Sequence, residues 1–311
     1  MKRVAALDCG TNSLRLLVAD LDLASGEAFE VDRRTTIVRL GQDVDRTGAF
    51  APEALARTFA TVDDYASAID RYGVGRDAVR FVATSAARDV SNREDFVRGV
   101  AGRLGVQPDI ISGAQEAWLS YDGATRGLVG RPELARPVVV VDIGGGSTEV
   151  VTVTADGAAA MTGRSLDIGS VRMTERHLHS DPPTRAEAAA VIAEADKALD
   201  ELDPKLSSAG TLIGVAGTIT TVAAMALRLP TYDRERTHHA QVPASALLDA
   251  VDRLVAMSVA QRTALGFMQP GRADVIGGGA LILAAVVRRL AVPSLLVSEH
   301  DILDGIAWSL A

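Results

Sequence analysis

Residues 138–151 read VVVVDIGGGSTEVV. Four valines run into Asp142, three glycines follow, and Ser147, Thr148 and Glu149 precede a return to apolar residues. A surface turn has no need of three glycines, because each one costs chain entropy on folding. The pattern predicts a buried strand, a turn whose backbone something approaches closely, and a second strand returning beside the first. The same design opens the chain. Val4-Ala5-Ala6-Leu7-Asp8-Cys9-Gly10-Thr11-Asn12-Ser13 aligns with Val138-Val139-Val140-Val141-Asp142-Ile143-Gly144-Gly145-Gly146-Ser147 as apolar strand, Asp-x-Gly-x-x-Ser, then a second apolar run. One structural unit is used twice, once at the start of each half.

With 311 residues, 48% of them hydrophobic, the chain can bury a large core, and its length suggests about two domains. The single cysteine, Cys9, excludes an intrachain disulfide and fits a reducing cytoplasm. The apolar run after Met1-Lys2-Arg3 is shorter than a secretory signal requires. The apolar stretch 280–287 is too short to span a bilayer and ends at Arg288-Arg289. These features predict a soluble cytoplasmic protein with no membrane partner. A net charge of −8 argues against broad nucleic-acid binding. A polyanionic substrate remains compatible if positive potential is focused in a cleft.

Between the two units the spacing predicts a third strand over 28–40, a helix over 52–72, a strand over 79–84 and a helix over 92–105. A strand over 109–111 and a helix over 112–128 follow. Prolines at 132 and 137 mark a boundary. The second half predicts strands through Leu166, helices over 171–178 and 185–202, and a strand over 211–215. It continues with a helix over 219–229, a polar loop to His239, helices over 244–257, 258–265 and 273–290, a strand over 294–297 and a helix over 302–310. Two α/β domains with mixed sheets and a cleft between them are expected, 1–128 and 129–298, with the C-terminal helix 299–311 packing back on the first.

Turns built from Gly10, Thr11, Asn12 and Ser13, and from Gly144, Gly145, Gly146, Ser147 and Thr148, can aim successive backbone N–H groups at an anion, phosphate above all. Neither is a Walker loop, because no Gly-Lys-Ser/Thr follows. Gly217 and Thr218 lie in another strand-to-helix turn able to present N–H groups. Asp8, Asp142 and Glu149 beside these turns would repel phosphate unless a hard cation lay with them, and magnesium suits that donor set. Arg88, after a strand, could neutralise charge on a transferring phosphoryl group. Ser112 and Gln115 have capping-box spacing, which puts Glu116 in a first helical turn. Structural alternatives stand beside each reading: unliganded hairpins, aspartates capping their own turns, an acid complementing a helix dipole, and an arginine in a surface ion pair. His238-His239 reads as a loop feature whose rings point apart, Cys9 as packing, and Gly277-Gly278-Gly279 as a close helix contact.

Together Ala6 to Leu16, Ala83 to Arg88, Ser112 to Ala117, Asp142 to Glu149 and Ser165 to Arg172 resemble the exopolyphosphatase/guanosine pentaphosphate phosphohydrolase family, within the sugar kinase–Hsp70–actin superfamily. The resemblance implies two ribonuclease-H-like (actin-like ATPase) domains with mixed five-stranded sheets flanked by helices and an active cleft between them. It implies Glu116 as the base, Arg88 as a phosphate-binding residue, and Asp8, Asp142 and Glu149 as associated with Mg2+, with Mn2+ able to replace it. Inorganic polyphosphate is the implied substrate, and guanosine pentaphosphate the alternative. An ATP-binding switch module on the same fold is the competing class. Two departures point to short or medium polyphosphate chains: the further C-terminal helical domains of long members are absent from these 311 residues, and Ile302-Leu303-Asp304-Gly305 stands where many relatives carry Leu-Arg-Glu-Gly. Oligomeric state, a homodimer included, is left open.

Overall fold

All six side chains of the strand Val138–Ile143 are buried, as a run of apolar residues without alternation requires when both faces of a sheet are covered. The computed structural model describes residues 1–88, 90–128, 134–154, 161–202 and 209–311. In chain order the strands are β1 Lys2–Cys9, β2 Ser13–Asp22, β3 Glu27–Ile37, β4 Val79–Ala83, β5 Asp109–Ile110, β6 Val138–Ile143, β7 Thr148–Val153, β8 Met161–Leu166, β9 Thr211–Val215, β10 Gln241–Pro243 and β11 Ser294–Val297. They form a five-stranded sheet, β3-β2-β1-β4-β5, and a six-stranded sheet, β10-β11-β9-β6-β7-β8.

The repeat seen in the sequence is a repeat of topology. An antiparallel β1-β2-β3 meander is joined by β4, parallel to β1. An antiparallel β6-β7-β8 meander is joined by β9, parallel to β6. The second sheet departs from the expected five strands by adding β10, antiparallel to β11. Three residues ending in Pro243 are too few to show a period of two, so the strand is invisible to pattern reading.

The chain divides into two compact units, Met1–Gly123 with Ile302–Ala311, and Ala124–Asp301. The expected boundary after residue 128 runs into 129–133, outside the described residues. In the first unit, alternation along β1 divides its side chains between two cores. Ala5, Leu7 and Cys9 pack with Phe81, Phe96, Ile69 and Val62. Val4 and Ala6 pack with Leu119, Ile302, Leu303 and Ile306. The helix Ile302–Trp308 therefore covers the face that helix Pro52–Arg71 does not. At Gly305 a Cβ would meet the Leu119 carbonyl at 2.0 Å, so this helix lies against Gly113–Thr125 backbone to backbone.

In the second unit the helix Ile276–Leu290 is buried on nearly every face. Its glycines do what was expected of them. A Cβ at Gly278 would meet the Ser170 carbonyl at 2.7 Å, and one at Gly279 the Thr218 side chain at 2.7 Å. Arg262, 1% exposed, donates to the Leu254 carbonyl at 2.8 Å, an acceptor at the end of helix Ala244–Ala256, and to the Ala273 carbonyl at 3.1 Å. Thr184 and Glu187 form a full capping box on helix Arg185–Leu199, as do Ser258 and Gln261 on Val259–Thr263. Among the described residues no helix is long and apolar enough to cross a membrane.

Candidate functional site

Parallel pairing brings the candidate residues of each unit to one end of its sheet. Cys9 pairs with Ala83, and Ala83 with Ile110. The turn Gly10–Ser13, the short helix Ser85–Arg88 and the start of helix Gly113–Thr125 thus follow the carboxyl ends of neighbouring strands. In the second unit Asp142 pairs with Val215, so the turn after β6 and the start of helix Ala216–Ala226 are likewise neighbours. Carboxyl ends of parallel strands are where open α/β sheets bind ligands.

The two glycine turns share one hydrogen-bond plan. Gly10 N–H donates to the Ser13 carbonyl at 2.9 Å, and Gly144 N–H to the Ser147 carbonyl at 3.0 Å. Each turn's carbonyls are then taken by a distant segment. The Thr11 carbonyl accepts from Gly41 N–H at 2.8 Å, and the Asn12 carbonyl from Val38 and Arg39 at 3.0 and 2.9 Å. The Gly144 carbonyl accepts from Ser170 N–H at 2.9 Å, and the Gly145 carbonyl from Val171 and Arg172 at 2.8 and 3.2 Å. Among the described residues, the N–H groups of Thr11, Asn12, Ser13, Gly145, Gly146 and Ser147 have no backbone acceptor outside the strand ladders. A turn whose carbonyls are tied behind it leaves its N–H groups for a ligand, which is the anatomy of an anion nest.

Hairpin register decides what stands beside each turn. Asp8 is opposite Arg15, and Asp142 opposite Glu149. Arg15 grips the Asp8 carboxylate through Nε and a terminal nitrogen at 2.9 and 2.7 Å, with Asp8 6% exposed. In the second unit the same two positions hold two carboxylates, 7% and 2% exposed, and Glu149 accepts from the Ser165 hydroxyl at 2.6 Å. The expected trio of Asp8, Asp142 and Glu149 therefore has unequal members. Asp8 is committed to an arginine, and among the described residues no three His, Cys, Asp or Glu side chains gather to hold an ion.

Glu116 stands in a first helical turn behind the Ser112–Gln115 capping pair, which is formed in both directions. Its side chain is 10% exposed and accepts from Arg88. Arg88 Nε is buried with no acceptor. On the same short helix Ser85 meets the Thr11 hydroxyl at 3.0 Å, so one turn of helix carries both a brace for the first glycine turn and the arginine that holds Glu116. Thr148, fully buried, donates its hydroxyl to the Ile168 carbonyl at 2.6 Å and braces the second turn from inside. Thr218 packs against Gly279, while Gly217 is overlaid by Arg272, whose guanidinium would lie 2.2 Å from an added Cβ. Arg272 donates to the Gly217 carbonyl at 3.0 Å and to the Thr221 hydroxyl at 2.8 Å.

Arg15, Arg272, Ser85 and Gly41 escaped the sequence reading. Arg15 could have been found, since a hairpin closed between Gly10 and Ser13 must set it across from Asp8; the others depend on contacts far apart in the chain. His238 and His239 do not point apart. Their rings stack at 3.7 Å because His239 adopts a left-handed φ of 60°, which undoes the usual divergence of neighbours. Cys9 is 1% exposed, and burial, with the adjacent Asp8 charge second, pushes its thiol far up and out of nucleophilic use.

The Ppx/GppA phosphatase family matches residues 22–311 of the chain. The chain is 49% identical to the protein named exopolyphosphatase 2 of Mycobacterium tuberculosis over 324 aligned residues, covering 100% of this chain and 99% of that one. A crystal structure of an exopolyphosphatase-like protein is 40% identical, covers 99% of this chain and 98% of its own, and superposes with a TM-score of 0.91. The Aquifex aeolicus member of the family is 29% identical, covering 99% of this chain and 96% of its own, with a TM-score of 0.78. With matching turns in both units and likeness along the whole length, the chain belongs to the Ppx/GppA phosphatase family.

Proposed function

We propose that the protein is an exopolyphosphatase that hydrolyses the terminal phosphoanhydride of inorganic polyphosphate and releases orthophosphate. The observation that carries this reading is the pair of glycine turns whose carbonyls are tied behind them. Each turn offers its N–H groups to phosphate, Thr11 to Ser13 in the first unit and Gly145 to Ser147 in the second. The 49% identity to a protein named exopolyphosphatase 2 supports the same substrate.

Glu116 orients a water in line with the terminal phosphorus and accepts its proton as the new P–O bond forms. The bridging oxygen leaves with the shortened chain. Arg88, beside Glu116 and with an unspent Nε–H, takes an oxygen of the transferring group and balances its charge. Positioning and electrostatics carry most of the rate, because phosphoryl transfer asks little covalent chemistry of a protein.

The residues fit a magnesium ion in the second unit. Asp142 and Glu149 are adjacent buried carboxylates next to a turn that would hold phosphate. Two protein oxygens are what magnesium commonly takes beside substrate phosphates. When bound, the ion would offset phosphate charge and let the carboxylates and the substrate share one site. Asp8, beside the first turn, forms an ion pair with Arg15.

The test is orthophosphate release from short polyphosphate, long polyphosphate and guanosine pentaphosphate in competition, with and without magnesium. Polyphosphate is expected to win and magnesium to be required. Aromatics make up only 4% of the chain, and no aromatic cluster in the sequence announces a purine pocket. Preferential turnover of guanosine pentaphosphate would replace the substrate, and nucleotide binding without phosphate release would replace the reaction.

A further inference from the structure

We infer that Gly41, outside every segment read as functional in the sequence, is a positioning residue that sets the first glycine turn in its anion-binding form. The inference rests on the reading of that turn as a phosphate cradle. Segment 38–41 acts on the turn from behind. Arg39 takes a left-handed φ of 51°, and its N–H and that of Val38 converge on the Asn12 carbonyl. Gly41 then donates to the Thr11 carbonyl at 2.8 Å. With these carbonyls held, the N–H groups of the turn face the other way. The approach is close enough to exclude any side chain. A Cβ at Gly41 would sit 2.3 Å from Thr11 Cγ2, 3.2 Å from Thr11 Cβ and 3.3 Å from Ala86 Cβ. Thr11 could not simply rotate away, because its hydroxyl meets Ser85 on the helix that carries Arg88.

The second unit repeats the device with different residues, which argues that the constraint belongs to the turn and not to local packing. There the segment behind the turn is Gly169–Arg172, and a Cβ at Gly169 would meet the Gly145 carbonyl oxygen at 2.4 Å. Each turn is thus backed by one glycine that lies outside the turn itself.

The obstacle at Gly41 is one methyl group, and that makes the inference testable by rescue. Gly41→Ala should displace Thr11, raise both KM for polyphosphate and the inhibition constant of orthophosphate about tenfold, and lower kcat/KM by about a hundredfold, the scale of a misplacement near 1 Å. The double variant Gly41→Ala with Thr11→Ser removes Cγ2 but keeps the hydroxyl, and should recover at least about tenfold in kcat/KM over Gly41→Ala. A packing defect alone would lower the melting temperature without moving orthophosphate inhibition. A folded Gly41→Ala within about threefold of wild-type kcat/KM, or a double variant no better than the single one, overturns the inference. If Gly41→Ala does not fold, the double variant decides: folded and active supports the inference, unfolded overturns it, since the Thr11 methyl would not be the obstacle. Failure of the underlying phosphate reading looks different, because wild type would then show no competition by orthophosphate at all.

Discussion

Replacing Glu116 by glutamine removes the proton acceptor while leaving an oxygen for Arg88. Glu116 is 8% exposed, and Arg88 donates to it from a side chain that is 21% exposed. A positioned general base contributes about 10² to 10⁴ in rate. We expect kcat to fall about 10³-fold, which is about 4 kcal/mol of transition-state stabilisation. KM should change by less than about threefold, because the phosphates are held by backbone N–H groups that the substitution does not touch. Stability should fall by only about 1 kcal/mol, the difference between a charged and a neutral acceptor for the arginine. Glu116→Ala should cost more, since Arg88 already has one buried donor without an acceptor and would gain another. The assay is colorimetric orthophosphate release from polyphosphate at saturating magnesium, with circular dichroism melting as the control. A folded Glu116→Gln enzyme that keeps more than about a tenth of wild-type kcat would refute the base. An unchanged kcat with a raised KM would recast Glu116 as a binding residue.

Three further outcomes are expected. Gly169→Ala drives a Cβ into backbone at 2.4 and 2.5 Å, which no rotamer relieves, so polyphosphate affinity should fall and Thr11→Ser should give no rescue in steady-state kinetics. Arg262→Met leaves buried carbonyls of Leu254 and Ala273 without donors and should lower stability by about 2–5 kcal/mol in denaturant melts, with kcat of the folded fraction unchanged. Hydrogen bonds from the Thr184 N–H, and also from His179, hold the Glu187 carboxylate down at about 2. A group depressed in the folded state contributes stability above its unfolded pKa and loses it as pH falls through the folded one. Wild type should therefore lose an increment of melting temperature between about pH 4.5 and pH 2 that Glu187→Gln lacks; identical acid profiles would count against the capping geometry.

Much of this was legible in the chain. The strand–turn–strand repeat at Asp8 and Asp142 foretold both meanders, because a buried strand, a glycine turn and a returning strand are all local features. Glu116 was placed in its helical turn by a capping pair three residues apart, again a local signal. What stayed hidden depends on contacts between distant residues. The carbonyls of Thr11 and Asn12 are tied by 38–41, and nothing at Gly41 announces that Thr11 lies 2.3 Å from where a Cβ would be. Thr148 reads as a phosphate ligand by its position after Ser147, yet Ile168 takes its hydroxyl. Asp8 and Asp142 align perfectly in the repeat, and only the residue across the hairpin, Arg15 in one and Glu149 in the other, separates an ion pair from a pair of carboxylates. Gly217 stands at the strand-to-helix junction its sequence sets, in the first turn of helix Ala216–Ala226, but nothing local announces that Arg272, far along the chain, donates to its carbonyl.

The most direct measurement is an amide NMR titration of the inactive Glu116→Gln protein with polyphosphate and magnesium. The resonances of Thr11, Asn12, Ser13, Gly145, Gly146 and Ser147 should shift and saturate as polyphosphate is added. Polyphosphate turnover by the wild type with those amides left in place would contradict phosphate held by the backbone of the turns.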